Sequence, residues 1–441
     1  MTRIFSWSMV AGALALAGCG ITPSPNPSPS AQKPNIILIM ADDIGYECYG
    51  CYGSEQYKTP NVDRMAANGI RFRYAYSQPL CTPSRVKIMT GKSNVRNYSA
   101  FSILNRDQRT FGHMLRAQGY RTMVAGKWQL FGAENYSVQF RGKGTLPADA
   151  GFDRYCLWQV DKKGTRYWNP LLNIDGENKQ FAEDDYGPDI VNEFVLNFIE
   201  KNKDGPFFAY YPMLLVHNPF LPTPDSADRN SKDKQHNYED MVAYMDKLIG
   251  RVVAKTEELG IADNTLILYT GDNGTNRAIK STLNGRVIQG GKGLTIDSGD
   301  HVALIGYWPN VFPAGQVSDD LVEFTGFTPT LLDAAGAEPP PGLDGWSFLP
   351  QLKGETGNPR DWVFTYYCPR PERTKPVRYA QDLRWKLYGD GRLYEYRADR
   401  MEKHPITDVS GNPAAAAAKE KLGAALASMP AKGQTLLKYA P

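Results

Sequence analysis

Asn35 to Met40 reads Asn-Ile-Ile-Leu-Ile-Met, a continuous apolar run after its first residue, and it ends on Ala41-Asp42-Asp43-Ile44-Gly45. A strand with one wet face alternates apolar and polar residues. A short run with no polar position belongs instead to a strand buried on both faces, the condition of a parallel sheet covered by helices. Thr265 to Thr270 (Thr-Leu-Ile-Leu-Tyr-Thr) repeats the pattern and ends on Gly271-Asp272-Asn273-Gly274. Helical periodicity lies between the two. Val62, Met65, Ala66 and Ile70 share a face after Thr59-Pro60-Asn61; Phe111 to Gly119, Asp189 to Asn202 and Tyr238 to Leu259 follow. Arg121 to Ala125 and Pro206 to Met213 read as further strands. This alternation predicts an α/β fold, with a large mixed, mostly parallel sheet flanked by helices. From about Pro359 the texture changes. Trp362–Tyr367 and Val377–Leu387 alternate, Gly389-Asp390-Gly391 makes a turn before Arg392–Tyr396, and Ala414–Met429 is alanine-rich. The expectation is a main domain over 34–355 and a small α+β subdomain over 356–441, an antiparallel sheet plus a helix.

The N-terminus stands apart. Arg3 precedes an apolar run from Val10 to Leu16, and small residues lead to Cys19, the layout of an export signal over 1–19. Leu16-Ala17-Gly18-Cys19 resembles a bacterial lipoprotein box, which implies lipidation of Cys19; the other reading is a plain secretory signal without lipid. The run is too short for a comfortable membrane span. Residues 20–33 are rich in proline and serine and read as a tether. The expected location is therefore outside the cytoplasm, lipid-anchored to a bacterial membrane on its periplasmic or cell-surface side. Export permits disulfides, so Cys48, Cys51, Cys156 and Cys368 are open to pairing, and no second C-x-x-C completes a zinc site with Cys48 and Cys51. Fifty basic against forty-seven acidic residues exclude nucleic-acid binding through bulk charge. Any anion has to be held by locally placed groups.

Cys81-Thr82-Pro83-Ser84-Arg85 offers such a placement. Thr82 is a candidate N-cap and Pro83 suits the first helical position, so Cys81 would face a helix N-terminus, where orphan N–H groups and the dipole favour an oxyanion. Arg85 adds a fork of donors for the same group. Alone, C-x-P-x-R reads as a structural cysteine at a loop–helix junction; the other strand ends change that. Asp42, Asp43, Asp272 and Asn273 are hard oxygen ligands suited to calcium or magnesium. Lys127, in Gly126-Lys127-Trp128-Gln129, and Lys292, in Gly290-Gly291-Lys292-Gly293, add positive charge, and His217 follows a strand. A divalent cation, basic groups and a nucleophile at a helix start describe group transfer from a tetrahedral oxyanion.

On these residues the chain resembles the formylglycine-dependent sulfatases of the alkaline phosphatase superfamily, from about Lys33 to Leu352. Cys81-Thr82-Pro83-Ser84-Arg85 matches the family's C-x-P-S-R signature. Asp42-Asp43, Thr59-Pro60-Asn61-Val62-Asp63, Gly126-Lys127-Trp128 and Gly271-Asp272-Asn273-Gly274 match its other landmarks in order. The resemblance implies that a formylglycine-generating enzyme oxidises Cys81 to an aldehyde, whose hydrate attacks sulfur and later releases sulfate. It implies Ca2+, with Mg2+ the lesser candidate, held by Asp42, Asp43, Asp272, Asn273 and the modified Cys81. Arg85 would hold the diol, Lys127 and Lys292 the sulfate oxygens, and His217 would serve the leaving oxygen. The implied substrate is a sulfated small molecule or, given the location, a sulfated carbohydrate. Gln129 stands where the family has histidine; its amide can bond the diol or substrate but cannot accept a proton, which leaves the base for sulfate elimination open. His301, where the family often has arginine, is weighed as that base against a packing role; His113, His236 and His404 have no assigned role. Two alternatives stay open, a phosphate or phosphonate ester hydrolase on the same fold and a non-catalytic protein that binds sulfated glycans. The loops Lys162–Gly176 and Pro222–His236 are too ordinary in composition to name the sugar.

Overall fold

The computed structural model describes residues 1–2, 6–9 and 33–433. Cys19, most of the export signal and nearly all of the tether lie outside the described residues. From Lys33 onward the described chain forms one compact unit, and none of the described helices is long and apolar enough to cross a membrane.

At its centre is the strand Asn35–Ala41, buried at every position. It pairs in parallel with Phe207–Pro212 on one side and Thr265–Gly271 on the other. The whole ten-stranded sheet runs in the order Gln316–Glu323, Ile70–Tyr76, His301–Tyr307, Thr265–Gly271, Asn35–Ala41, Phe207–Pro212, Arg121–Lys127, Arg154–Trp158, Leu171–Ile174, Glu177–Gln180. Its central pairs are parallel, and antiparallel joins appear around His301–Tyr307 and beyond Arg154–Trp158. Successive side chains of a strand point to opposite faces. Ile37 and Ile39 accordingly pack with the helices Gly187–Asn202 and Lys234–Glu258, while Ile36, Leu38 and Met40 pack with Val86, Ile88 and Met89 of the helix Cys81–Thr90. Two helical layers leave no wet face, which is why Ile36 to Ala41 contains no polar residue.

Three local expectations change. The helix thought to include Ile70 is Pro60–Ala67, and Ile70 opens a strand instead. Gly69 makes the sharp exchange feasible, because a Cβ there would stand 2.2 Å from the Gly306 carbonyl oxygen. Thr82 is not an N-cap: the helix starts at Cys81, Leu80 holds the cap position without a side-chain bond, and the Thr82 hydroxyl accepts the Ser102 N–H at 3.2 Å. Val377–Leu387 is two strands, Val377–Gln381 and Lys386–Tyr388, because the Asp382 carboxylate takes the N–H groups of Arg384 and Trp385 and closes a turn. These two strands, with Val363–Tyr367 and Leu393–Tyr394, form the small antiparallel sheet, and Ala415, Ala418 and Leu422 of the helix Pro413–Ser428 pack on it. Lys386 Nζ donates to the Thr295 carbonyl and Tyr379 OH to Asp300, which bind this sheet to the segment that leads into the strand His301–Tyr307. Cys48, Cys51, Cys156 and Cys368 are all free thiols.

Pro60–Ala67 takes its cap from a distant element. Thr59 makes no side-chain cap bond; the N–H groups of Asn61 and Val62 donate to Asp246 of Lys234–Glu258 at 3.0 and 2.8 Å. A carboxylate there satisfies orphan donors and meets the positive end of the dipole. Asp246→Ala leaves these two backbone donors and the Asn61 side-chain amide unpaired and is expected to cost ~2–4 kcal/mol in chemical denaturation, with Asp246→Asn losing less. A change within ~0.5 kcal/mol of the parent would show that the cap carries no weight.

Candidate active site

Parallel register gathers the strand ends. Ala41 pairs with Gly271, so Asp42 and Asp272 leave the sheet side by side. The Asp272 N–H donates to the Ala41 carbonyl at 2.9 Å, and the Asp43 N–H donates to Asp272 Oδ1 at 3.0 Å. Lys127 closes the next strand but one. The preceding residue, Gly126, sits at φ +128° against the Pro212 carbonyl oxygen, 1.8 Å from where a Cβ would stand, so only glycine fits. Asp42, Asp43 and Asp272 are wholly buried, and each offers an oxygen within 4.8 Å of the others.

Cations surround this trio. Lys127 Nζ lies 2.9 Å from both Asp42 oxygens, and Arg166 Nη1 lies 3.3 Å from Asp42 Oδ2. Arg85 donates from Nη2 to Asp272 Oδ2 and from Nη1 to the Lys127 carbonyl, both at 2.9 Å. Lys292 Nζ bonds Asp43, whose other oxygen accepts the Asn273 amide at 3.0 Å. His217 Nε2 stands 3.7 Å from Asp43. Burial alone would raise Asp42, but Lys127, His217, Arg85 and Arg166 hold its carboxyl well below the usual range. Asp272 goes the other way: burial and the Asp42 charge push it up to about 7. Asn273 Oδ1 is buried with no hydrogen-bond partner. A hard divalent cation fits this donor set, since it would take the orphaned amide oxygen and offset the carboxylate crowding that raises Asp272.

The helix Cys81–Thr90 brings Cys81 to the same place, because Arg85 lies one turn further along it. The Gly293 N–H donates to the Pro79 carbonyl at 2.7 Å and ties the Lys292 loop to it. Cys81 Sγ donates to Gln129 Oε1 at 2.9 Å. Gln129 sits at φ +55°, uncommon outside glycine, and its Nε2 donates to Tyr136 OH at 3.3 Å, which orients the amide oxygen toward Cys81. Burial pushes the Cys81 thiol up, so the helix N-terminus does not make it a thiolate. His217 is held down to about 3 by burial; its Nδ1 lies 2.6 Å from the Asn218 carbonyl and so must carry a proton, leaving Nε2 to face Asp43.

The structure thus brings together Asp42, Asp43, Cys81, Arg85, Lys127, Gln129, His217, Asp272, Asn273 and Lys292. His301 does not join them. It is stacked on Tyr46 and Tyr76, with centroids 3.8 and 4.9 Å apart, and its ring nitrogens face Asp297 at 3.2 Å and the Arg73 carbonyl at 2.9 Å. Nε2 is spent on the Arg73 carbonyl, and Nδ1 stands toward Asp297 rather than toward Cys81 or the carboxylate trio. Arg166 went unseen in the sequence because its loop carries no periodicity; its guanidinium also stacks 3.7 Å over the Trp158 ring. Glu47 was missed too. It is wholly buried, its Oε1 accepts the Thr275 hydroxyl at 2.5 Å, and its Oε2 has no partner.

Residues 34–337 match the family described as Sulfatase, and residues 292–432 match the one described as N-sulphoglucosamine sulphohydrolase, C-terminal. The chain belongs to the sulfatase family. It is a sulfuric ester hydrolase of the alkaline phosphatase superfamily. Human arylsulfatase A is 30% identical, over 81% of this chain and 75% of that protein. An N-acetylglucosamine-6-O-sulfatase of Bacteroides thetaiotaomicron is 26% identical, over 89% of this chain and 85% of that one. The crystal structure of Ps i-CgsB in complex with k-i-k-neocarrahexaose superposes with a TM-score of 0.74 at 25% identity, covering 92% of this sulfatase and 94% of that chain.

Two groups next to the site have measurable signatures. Burial raises Glu47 from 4.5 to about 7. The folded state therefore resists its ionisation, and stability falls as pH rises from about 4.5 to 7. Glu47→Gln should raise unfolding stability by about 3 kcal/mol above pH 7 and by nothing near pH 4; equal effects at both pH values would contradict the assignment. His301→Ala should cost about 2–4 kcal/mol, since it strips the buried Asp297 of a partner. The shape of the pH–rate profile should not change, and a lost limb would restore His301 as a base.

Proposed function

We propose that this sulfatase removes sulfate from sulfated carbohydrates, with formylglycine derived from Cys81 and a resident calcium ion, magnesium being the lesser candidate. Asp42, Asp43, Asp272, Asn273 and the modified Cys81 side chain would hold the cation. When present, the two groups supply a hydrated aldehyde as nucleophile and a positive charge that favours its deprotonation. The observation that carries the reading is the buried carboxylate trio with the orphaned Asn273 oxygen, set beside a Cys81 thiol that burial makes a poor nucleophile.

The remaining parts belong to this chain. Arg85 is fixed through both terminal nitrogens, and its buried Nε has no partner, which leaves one aimed donor for an oxyanion. Lys127 and Lys292 supply ammonium donors for the sulfate oxygens. His217 keeps Nδ1–H on the Asn218 carbonyl, so Nε2 is the nitrogen that exchanges a proton with the leaving oxygen. Gln129 accepts a hydrogen bond at position 81 and takes no proton, so the base for sulfate release lies elsewhere.

The relatives support a sugar substrate. One is named an N-acetylglucosamine-6-O-sulfatase, another, from dog, an N-acetylgalactosamine-6-sulfatase, and the Ps i-CgsB structure holds an oligosaccharide. The signal-like N-terminus supports export with a lipid on Cys19, and the catalytic groups fall within 34–355. A phosphonate monoester hydrolase shares the fold, with a TM-score of 0.68 at 20% identity, so ester class is part of the test. In protein from a host with the maturation enzyme, the tryptic peptide Tyr74–Arg85 should carry aldehyde in place of thiol. Chelation should abolish turnover, calcium should restore it, and Asp272→Ala should cost roughly a hundredfold in kcat/KM. Thiol throughout, or faster turnover of phosphate or phosphonate esters, would overturn the reading.

A further inference from the structure

The end of the sheet opposite the catalytic groups holds a cavity of about 570 Å³. One strand joins the two ends: Lys127 closes Arg121–Lys127 at the carboxylate trio, and Arg121 opens it at the cavity, ~20 Å away at the rise of a strand. Arg154 opens the parallel neighbour Arg154–Trp158 and lines the cavity from the same edge. The helix Gly187–Asn202 supplies the facing wall, where Phe194, Phe198 and Lys201 share one face at spacings of four and three. The Arg121 N–H donates at 3.1 Å to the Pro206 carbonyl, just past the end of that helix, and so holds the two walls together. The cavity thus has phenylalanine rings within a basic rim. Arg154 lies 5.6 Å from the Phe194 ring and pairs with Asp175 at 2.8 Å. Asp153, the one acid in the wall, is occupied: its Oδ2 accepts the Thr122 N–H at 2.9 Å, and its Oδ1 faces Arg116 at 3.9 Å. Arg121 and Lys201 are exposed, and neither makes an ion pair among the described residues.

The chain enters the fold beside this cavity. Lys33 Nζ donates to the Gln118 carbonyl at 2.8 Å, and the Pro34 carbonyl accepts the hydroxyl of Tyr120, the residue before Arg121, at 2.9 Å. Cys19 and the proline- and serine-rich segment precede that point in the sequence. Two unpaired cations over aromatic rings suit an amphiphile, whose anionic group meets the rim and whose apolar part meets the rings. We propose that this cavity docks an anionic phospholipid headgroup, so that the sulfatase rests on a membrane surface with its catalytic end turned away from the bilayer. The cavity and its charge stand by themselves; the choice of a bilayer over another polyanion rests on the proposed lipid at Cys19.

The full chain carrying Cys19→Ser, which takes no lipid, would be sedimented with vesicles of phosphatidylcholine alone and with vesicles carrying about 30% phosphatidylglycerol. Neutral vesicles read what the apolar N-terminal run contributes, and the difference between the two reads the basic rim. The anionic vesicles should bind roughly tenfold more tightly, and the preference should shrink between ~0.05 and ~0.5 M salt. Arg121→Ala with Lys201→Ala should remove most of it, whereas Arg121→Lys with Lys201→Arg keeps the charge and should retain it. Lys162→Ala with Lys163→Ala removes the same charge beyond the catalytic end of Arg154–Trp158 and should leave it unchanged. Equal binding to both vesicles, or equal losses in the two Ala pairs, would overturn the proposal. Heparin binding that falls in the Arg121 and Lys201 Ala pair while vesicle binding holds would also overturn it, by giving the cavity to a glycan. A native chain found without lipid on Cys19 while the preference persists would instead defeat the proposed anchor and leave the docking face standing.

Discussion

The structure depends on three carboxylates being taken out of water at one end of a parallel sheet. Burying even one such charge is costly unless it is paired and hydrogen-bonded. Here Asp42, Asp43 and Asp272 are compensated by Lys127, Lys292, Arg85 and Arg166, which come from four separate segments. The compensation is mutual: none of the buried cations would be tolerated without the acids. The sheet supplies the geometry, because parallel strands in register end at one level and project their following residues into one crevice. The helices supply the dryness that makes each pairing matter.

This arrangement explains which parts were readable in the sequence. The central strands were legible because burial on both faces leaves only apolar residues, and their acidic ends were legible because Asp42-Asp43 and Asp272-Asn273 interrupt that pattern so sharply. Cys81 and Arg85 were legible as a motif, yet the helix start was displaced, because the Thr82 hydroxyl is taken by Ser102, a partner twenty residues on. Ile70 was read as helical since its spacing fits the preceding face; the strand it opens is imposed by neighbours at Gly306 and Gln316. Arg166 and Glu47 left no periodic or motif signal. Their meaning lies wholly in contacts across the fold, Arg166 with Asp42 and Glu47 with Thr275.

Gln129 shows a finer limit. The sequence states that an amide replaces an imidazole, but only the structure shows which end of the amide faces Cys81. Tyr136 receives amide donors from both Gln129 and Gln159, at 3.3 and 2.8 Å, and this settles the orientation. A side chain that could have pointed either way is therefore a fixed acceptor, held on a backbone conformation that few residues adopt.

The bonds from Lys386 to Thr295 and from Tyr379 to Asp300 reach into the segment that carries Lys292. The small sheet is thus a buttress for the loop it contacts as well as an appendage. Its history is constrained accordingly. Recombination that exchanged the last part of the chain for a relative's would leave Asp300 and Thr295 facing side chains they did not evolve with. Related chains should therefore diverge in this sheet by compensated point substitution more readily than by the swapping of whole modules.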